Sequence, residues 1–206
     1  MEPSEFAKRS LELLAPLGQV LYRAMEPSVE EARKYFEGGR IDSYVFADLA
    51  RYQTVRRLET AVLPGGVEFE RLPNNGISFV CCGAAVHVWK ADEGGELRGP
   101  GNSKSKQQYF DQEFLLFEPD PSCAKFAIVW DYDFRTGLLT FSLACPESFD
   151  AYKPWNSPKC HFYIEFPHAA TEIVPSHEFS EISSDSDIEL KPKRKASVQQ
   201  IRVKPE

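Results

Sequence analysis

The chain has 206 residues, 42% of them apolar and 13% aromatic, enough for one domain with a substantial core. Fifteen Phe, eight Tyr and three Trp exclude a chain too polar to fold and favour strands, on whose half-buried pleated surface rings pack well. A formal charge of −7 excludes a protein that coats nucleic acid over its whole surface, while a local basic patch stays open because steering depends on where charge sits.

Residues 1–63 read as a helical subdomain. Segments 5–14, 17–25 and 29–36 are separated by Pro16 and by Pro27 with Ser28, since proline removes a helix donor and crowds the preceding turn. Ser28 stands three residues before Glu31, a capping-box spacing, and Gly38 and Gly39 end that third segment. Asp42 or Ser43 caps a fourth helix, in which Val45, Leu49, Tyr52, Val55, Leu58 and Val62 recur at spacings of three and four. Arg51, Arg56 and Arg57 fall away from that stripe, as a solvated face near Glu59 or as a face that meets phosphates.

Residues 64–174 read as the β-rich part of the same domain. Strands are expected at 67–71, 77–82, 85–90, 114–117, 125–134, 138–144 and 161–166. Pro73-Asn74-Asn75-Gly76, Gly83 and Arg135-Thr136-Gly137 supply turns. Val86, Val88 and Lys90 share one face of their strand, with His87 and Trp89 on the other. Residues 175–206 form a charged tail expected to be disordered. It is acidic at Glu178, Glu181, Asp185, Asp187 and Glu189, then basic at Lys191, Lys193, Arg194 and Lys195. The fold class expected is α+β, with N-terminal helices on a mostly antiparallel sheet.

The segment 88–110, VWKADEGGELRGPGNSKSKQQYF, invites a nucleotide-loop reading. A Walker loop needs lysine after its second glycine, and Pro100 stands there. Gly99-Pro100-Gly101 also lacks the third glycine of a dinucleotide fingerprint. What remains is a turn feeding a short helix at 104–111, capped by Asn102 or Ser103 with Gln107 or Gln108 reaching back. Lys104 and Lys106 lie at its start.

The other chemistry-bearing residues are dispersed. Adjacent Cys81 and Cys82 point to opposite faces of a strand, and Cys160, His161 and His168 lie elsewhere, so five cysteines read as reduced, buried thiols and no metal is expected. Asp131 and Asp133 share a strand face and, with Glu118 and Asp120 or with Glu165, compose a conceivable magnesium cluster. No apolar run approaches the roughly 18–20 residues that span a bilayer. Glu2 and Glu5 occupy a start without the basic and apolar regions of a secretory signal, so a cytoplasmic location is expected.

The block 74–113, NNGISFVCCGAAVHVWKADEGGELRGPGNSKSKQQYFDQE, and the block 126–146, FAIVWDYDFRTGLLTFSLACP, resemble a family of uncharacterised actinobacterial and phage proteins. Such proteins are encoded beside helix-turn-helix proteins with an ImmA/IrrE-like metallopeptidase domain, in toxin–antitoxin-like or phage-immunity modules. This chain has no H-E-x-x-H and is not itself the peptidase. The resemblance implies a binding protein acting by protein–protein contact, without a cofactor. The surface expected to carry it is Lys90, Arg98, Lys104, Lys106 and Gln108, with Arg56 and Arg57. Two alternatives stand beside it. One is an RNA- or nucleotide-directed toxin enzyme using Asp131, Asp133, His87 or His161; the other is a nucleic-acid-binding protein using the basic patch or tail.

Overall fold

The computed structural model describes residues 4–36, 41–112 and 120–166. The chain divides into two units, Met1–Ile173 and Val174–Glu206. The tail expected from residue 175, the strand expected at 114–117, Gly38, Gly39, Glu118 and His168 lie outside the described residues.

The N-terminal region is one helix, α1 (Glu5–Lys34), and not three segments. Leu14, Leu17, Leu21, Met25, Val29 and Ala32 form a buried stripe that runs unbroken past both prolines. Pro16 is exposed and Pro27 half-buried. Their rings free the carbonyls of Glu12 and Arg23, two exposed residues whose oxygens water can satisfy. Packing of the stripe therefore outweighs the two missing bonds. Ser28 is no cap. Its hydroxyl donates to Ala24 O at 2.6 Å within the helix.

Helix α2 (Ser43–Thr60) is capped by Asp42, whose Oδ1 accepts from Tyr44 and Val45 N–H at 2.9 and 3.2 Å. Its buried face is Phe46, Leu49, Ala50, Thr54, Val55 and Leu58. Val45 and Val62, expected on that face, are 53% and 86% exposed. Phe46 displaced Val45 because it meets Tyr132 and Phe134, with ring centroids 5.5 and 4.7 Å away.

Six strands follow: β1 (Val67–Leu72), β2 (Gly76–Cys81), β3 (Ala84–Lys90), β4 (Lys125–Asp133), β5 (Leu138–Ser148) and β6 (Lys159–Glu165). They form one sheet in sequence order, antiparallel throughout except that β3 and β4 run parallel. The β2–β3 turn places both Cys82 (φ 51) and Gly83 (φ 92) in the left-handed region, the two-residue hairpin geometry, so each flanking strand is one residue different from expectation. One sheet face, with Val86, Val88, Phe126, Ile128, Trp130 and Tyr132, packs under α1 and α2. The other face, with Ala127, Val129 and Ala144, packs under Ala91, Leu97 and Phe110. Among the described residues, no helix is long and apolar enough to cross a membrane.

A parallel pair needs a long crossover, and here residues 91–124 supply it. Helix α3 (Lys104–Phe110), capped by Ser103, lies on that path. Gln107 Nε2 reaches back to Gly101 O at 2.7 Å. Tyr109 inserts its hydroxyl at the seam between β3 and β4. It accepts from His87 N–H at 3.1 Å and approaches Phe126 O at 2.6 Å and Ala85 O at 3.0 Å. Gln112 acts on the other side of β4. Its side-chain amide donates to Lys125 O and Pro146 O at 2.7 and 2.9 Å, while its oxygen accepts from Lys125 N–H at 2.7 Å. It bonds the end of β5 at Pro146, where the β5–β6 register shifts.

These bonds generate a first prediction. Gln112→Ala leaves three strand groups unpaired and lowers stability by about 2–4 kcal/mol, and Tyr109→Phe by about 1–3 kcal/mol. Urea unfolding checks both: midpoints fall while the slope m is retained.

Candidate functional site

Helix α2 and the start of the crossover flank the carboxyl ends of β3 and β4, whereas the loop before β6 lies towards the amino end of β4, since Ser148 pairs with Lys159 beyond the Ala127–Ala144 pair. Helix α2 starts over β4, where Phe46 stacks on Tyr132, and ends beside β1, where Glu59 pairs with Arg71 at 3.1 Å. Arg51, midway along it, therefore passes the end of β3. Lys90, the last residue of β3, holds its Nζ 5.9 Å from the ring centre of Trp130, its register partner on β4. The crossover leaves from the same end.

The crossover is tied to the loop before β6. Tyr163 Oη donates to Gly95 O at 2.9 Å, Ser157 Oγ to Glu96 Oε2 at 2.8 Å, and Gly101 N–H to Pro154 O at 2.8 Å. A Cβ at Gly99 would lie 2.1 Å from Asn156 O, and one at Gly101 (φ +60) 2.4 Å from the Trp155 ring. The glycines of the Gly-Pro-Gly run thus let two loops touch. Arg98, next to Gly99, sets its guanidinium 5.5 Å from the Trp155 ring centre. Trp155 stays 57% exposed and Tyr152 beside it 97%.

Helix α3 starts just after Gly101, with Gln107 bonded back to Gly101 O at 2.7 Å, so Lys104 and Lys106 follow this loop directly. Partial burial, then the charges of Arg51 and Arg98, hold the Lys106 ammonium below the usual lysine range. Among the described residues, Lys90, Arg98, Lys104 and Lys106 form no ion pair. Arg51 pairs with Asp48, and its Nε is buried without a hydrogen-bond partner.

The expected surface is therefore brought together in part. Arg98 acts on Lys106 through its charge, with Lys104 exposed two residues earlier on α3 and Lys90 at the strand end. Gln108 is exposed, and its carbonyl accepts from Lys125 Nζ at 2.9 Å. Arg56 is half-buried on α2. Arg57 instead bonds Glu31 on α1, a tie between the two helices. Sequence reading missed Arg51 as a member of the corner, and Trp155 with Tyr152. Helical spacing sets Arg51 beside Arg56 and Arg57 without saying which arginine faces the crossover. Trp155 is over fifty residues from Arg98, and the only signal was paired glycines too crowded for a Cβ.

The candidate catalytic residues do not converge. His87 pairs in register with Ala127, four residues from Asp131, about 13 Å along a strand. His161 lies between Cys160 and Phe162, which pair with Pro146 and Cys145 at the other end of β5 from Thr140, the partner of Asp131. Asp133 holds a turn, accepting from Arg135 N–H and the Thr136 hydroxyl at 2.8 Å each, and these bonds pull its carboxyl below the ordinary range. Asp120 caps a 310 turn in the same manner, through Ser122 N–H at 3.0 Å. Burial pushes the thiols of Cys81 and Cys160 up to about 12 and about 11, far from a nucleophilic thiolate. Among the described residues, no three His, Cys, Asp or Glu side chains gather in a way that can hold a metal ion.

No protein-family model, curated protein or solved structure matches the chain.

His87 has a structural role with a measurable signature. Its ring stacks on Tyr109 with centroids 4.0 Å apart, and burial, then the Lys125 charge, lowers its pKa from 6.5 to about 4. The folded protein resists protonating His87 while the unfolded chain does not, so stability falls as pH drops from about 6.5 towards 4. Urea midpoints between pH 7 and 4.5 test this: His87→Gln should flatten the loss, and an unchanged slope would contradict the assignment.

Proposed function

We propose that this chain is a non-enzymatic binding module that engages an acidic surface on a partner protein through Arg51, Arg98 and Lys106, with Trp155 and Tyr152 as apolar anchors. The observation that carries the reading is Arg98 seated over the exposed Trp155 ring beside exposed Tyr152, with Lys104 and Lys106 exposed and in no ion pair among the described residues. Tryptophan, tyrosine and arginine are the residues that dominate protein interfaces, because they bring large contact area with few rotatable bonds to freeze. The resemblance of residues 74–113 and 126–146 suggests the partner: the neighbouring-encoded helix-turn-helix protein with an ImmA/IrrE-like domain, in a toxin–antitoxin-like or phage-defence pair inside the cytoplasm.

Co-expression with that neighbour tests the reading. Arg98→Glu with Lys106→Glu should cut capture at least tenfold, and Trp155→Ala should cost about 2 kcal/mol or more of binding. Arg57→Gln should lower the melting temperature and leave capture intact, since Arg57 holds α2 to α1. Equal capture by the charge-reversed protein overturns the assignment. So does growth arrest on expression of the chain alone that Asp131→Asn abolishes, the outcome of a toxin enzyme.

A further inference from the structure

We propose that the β6 edge of the sheet pairs with the β6 edge of a second copy of this chain, antiparallel and centred on Phe162, to give a two-fold symmetric dimer. The inference goes beyond the binding reading above and stands on different residues.

Edge geometry is the first reason. Strand β6 ends the sheet, and among the described residues only β5 pairs with it. Phe166 N–H donates to Phe141 O at 2.9 Å, so the backbone groups of Phe166 point to β5. Direction alternates along a strand and the register from Phe162 to Glu165 is regular, so Ile164 and Phe162 point to β5 as well. Glu165, Tyr163 and His161 therefore turn their N–H and C=O groups outward. Such a row is a template for another strand. The opposite edge, β1, is guarded by the exposed carboxylates of Glu68 and Glu70, and its Arg71 is held by Glu59 and Asn75 at 3.1 and 2.9 Å.

Self-complementary charge is the second, and it selects the occupant. The strand reads KCHFYIE, with Lys159, His161, Tyr163 and Glu165 exposed and Cys160, Phe162 and Ile164 half-buried between them. Antiparallel pairing about Phe162 sets Lys159 opposite Glu165 of the other copy, and symmetry repeats the pair at the far end. His161 then lies opposite Tyr163, both with outward backbone groups, and such a pair exchanges two main-chain hydrogen bonds. Centred one residue either way, Lys159 would face Tyr163 or Pro167 and lose the carboxylate. Opposite charges directly across an antiparallel pair stabilise it, and like charges destabilise it.

The residues concerned can take these roles. Glu165 forms no ion pair among the described residues. Lys159 Nζ donates to Glu147 at 2.7 Å, but its side chain is 70% exposed, and a pair so open to water is weak enough to share its cation. Phe162 and Ile164 pack against the main core yet stay half-buried, so a second copy covers apolar surface that the sheet edge leaves to solvent. Aromatic and β-branched residues at the centre favour strand pairing, and no proline interrupts it.

The test is sedimentation equilibrium of the full chain from micromolar to millimolar concentration, a range suited to the small interface that seven residues of edge provide. A concentration-dependent dimer is expected. Lys159→Glu or Glu165→Lys alone should raise its dissociation constant about tenfold by setting like charges opposite each other. The two substitutions together should restore the dimer, because the charges are then exchanged and not lost. His161→Pro removes an outward donor at an edge position that a folded strand tolerates, and should abolish association. Circular dichroism checks that each variant folds, and the exposed charge swaps carry the test by themselves should the proline disturb the strand. A chain that stays monomeric at every concentration overturns the proposal. So does a dimer that neither charge variant weakens, or one whose loss in the single variants the double variant does not restore.

Discussion

The structure depends on how the seam between β3 and β4 is closed. A parallel pair in an otherwise antiparallel sheet requires a crossover that returns to the starting end, and a long irregular connection over a sheet is costly unless something fixes it. Here the fixing is polar and local. The Tyr109 hydroxyl sits among His87 N–H, Ala85 O and Phe126 O, and the Gln112 amide takes both backbone groups of Lys125 and the carbonyl of Pro146. Both side chains are buried, at 8% and 7% exposure, so these bonds are exchanged with little water and their loss is not repaired by solvent. Trp89, Phe110 and His87 close around Tyr109 and keep the site dry.

Anchoring the crossover at its far end determines what happens at its near end. With α3 held against β3, Lys104 and Lys106 are fixed on its first turn, and the Gly99 and Gly101 contacts lock Arg98 against the loop of Trp155. Helix α2 lies on the opposite face, held in place by Phe46 at one end, Glu59 at the other and the Arg57–Glu31 pair to α1.

Much of this was legible in the sequence, and the parts that were not share a physical cause. Period-two alternation in β3 and β4 assigned Val86, Val88 and Lys90 to one face and His87 and Trp89 to the other, because a strand side chain has only two faces to choose from. Asp42 and Ser103 announced two helix starts, since capping is decided within four residues. Pro16 and Pro27 misled because a local breaker was weighed without the long apolar face that overrides it. Gln112 and Tyr109 gave no functional or structural signal, since a side chain that bonds a distant backbone leaves no spacing to detect. The corner itself was half visible: Arg98 and Lys106 stood out in a Gly/Pro-rich basic segment, while Arg51 and Trp155 joined it only through contacts remote in sequence.

A chain with net charge −7 that holds Arg51, Arg98 and Lys106 together is working against its own electrostatics in one place and with them in another. The acidic remainder repels an acidic partner at long range, over distances where salt screens it within about 8 Å. Arg98 and Lys106 attract the same kind of group at contact, where the separation is shorter than the screening length. Such a surface discriminates by geometry: an acidic protein gains only if it brings its negative group to the rim, and loses if it approaches elsewhere. The same reasoning accounts for Trp155. An indole left 57% exposed costs solvation, and beside a guanidinium it offers apolar contact that an approaching carboxylate or phosphate alone cannot use. Under the proposed binding role, a cation beside an exposed indole favours a negative group presented on a folded surface over a free polyanion, because only the former also covers the ring.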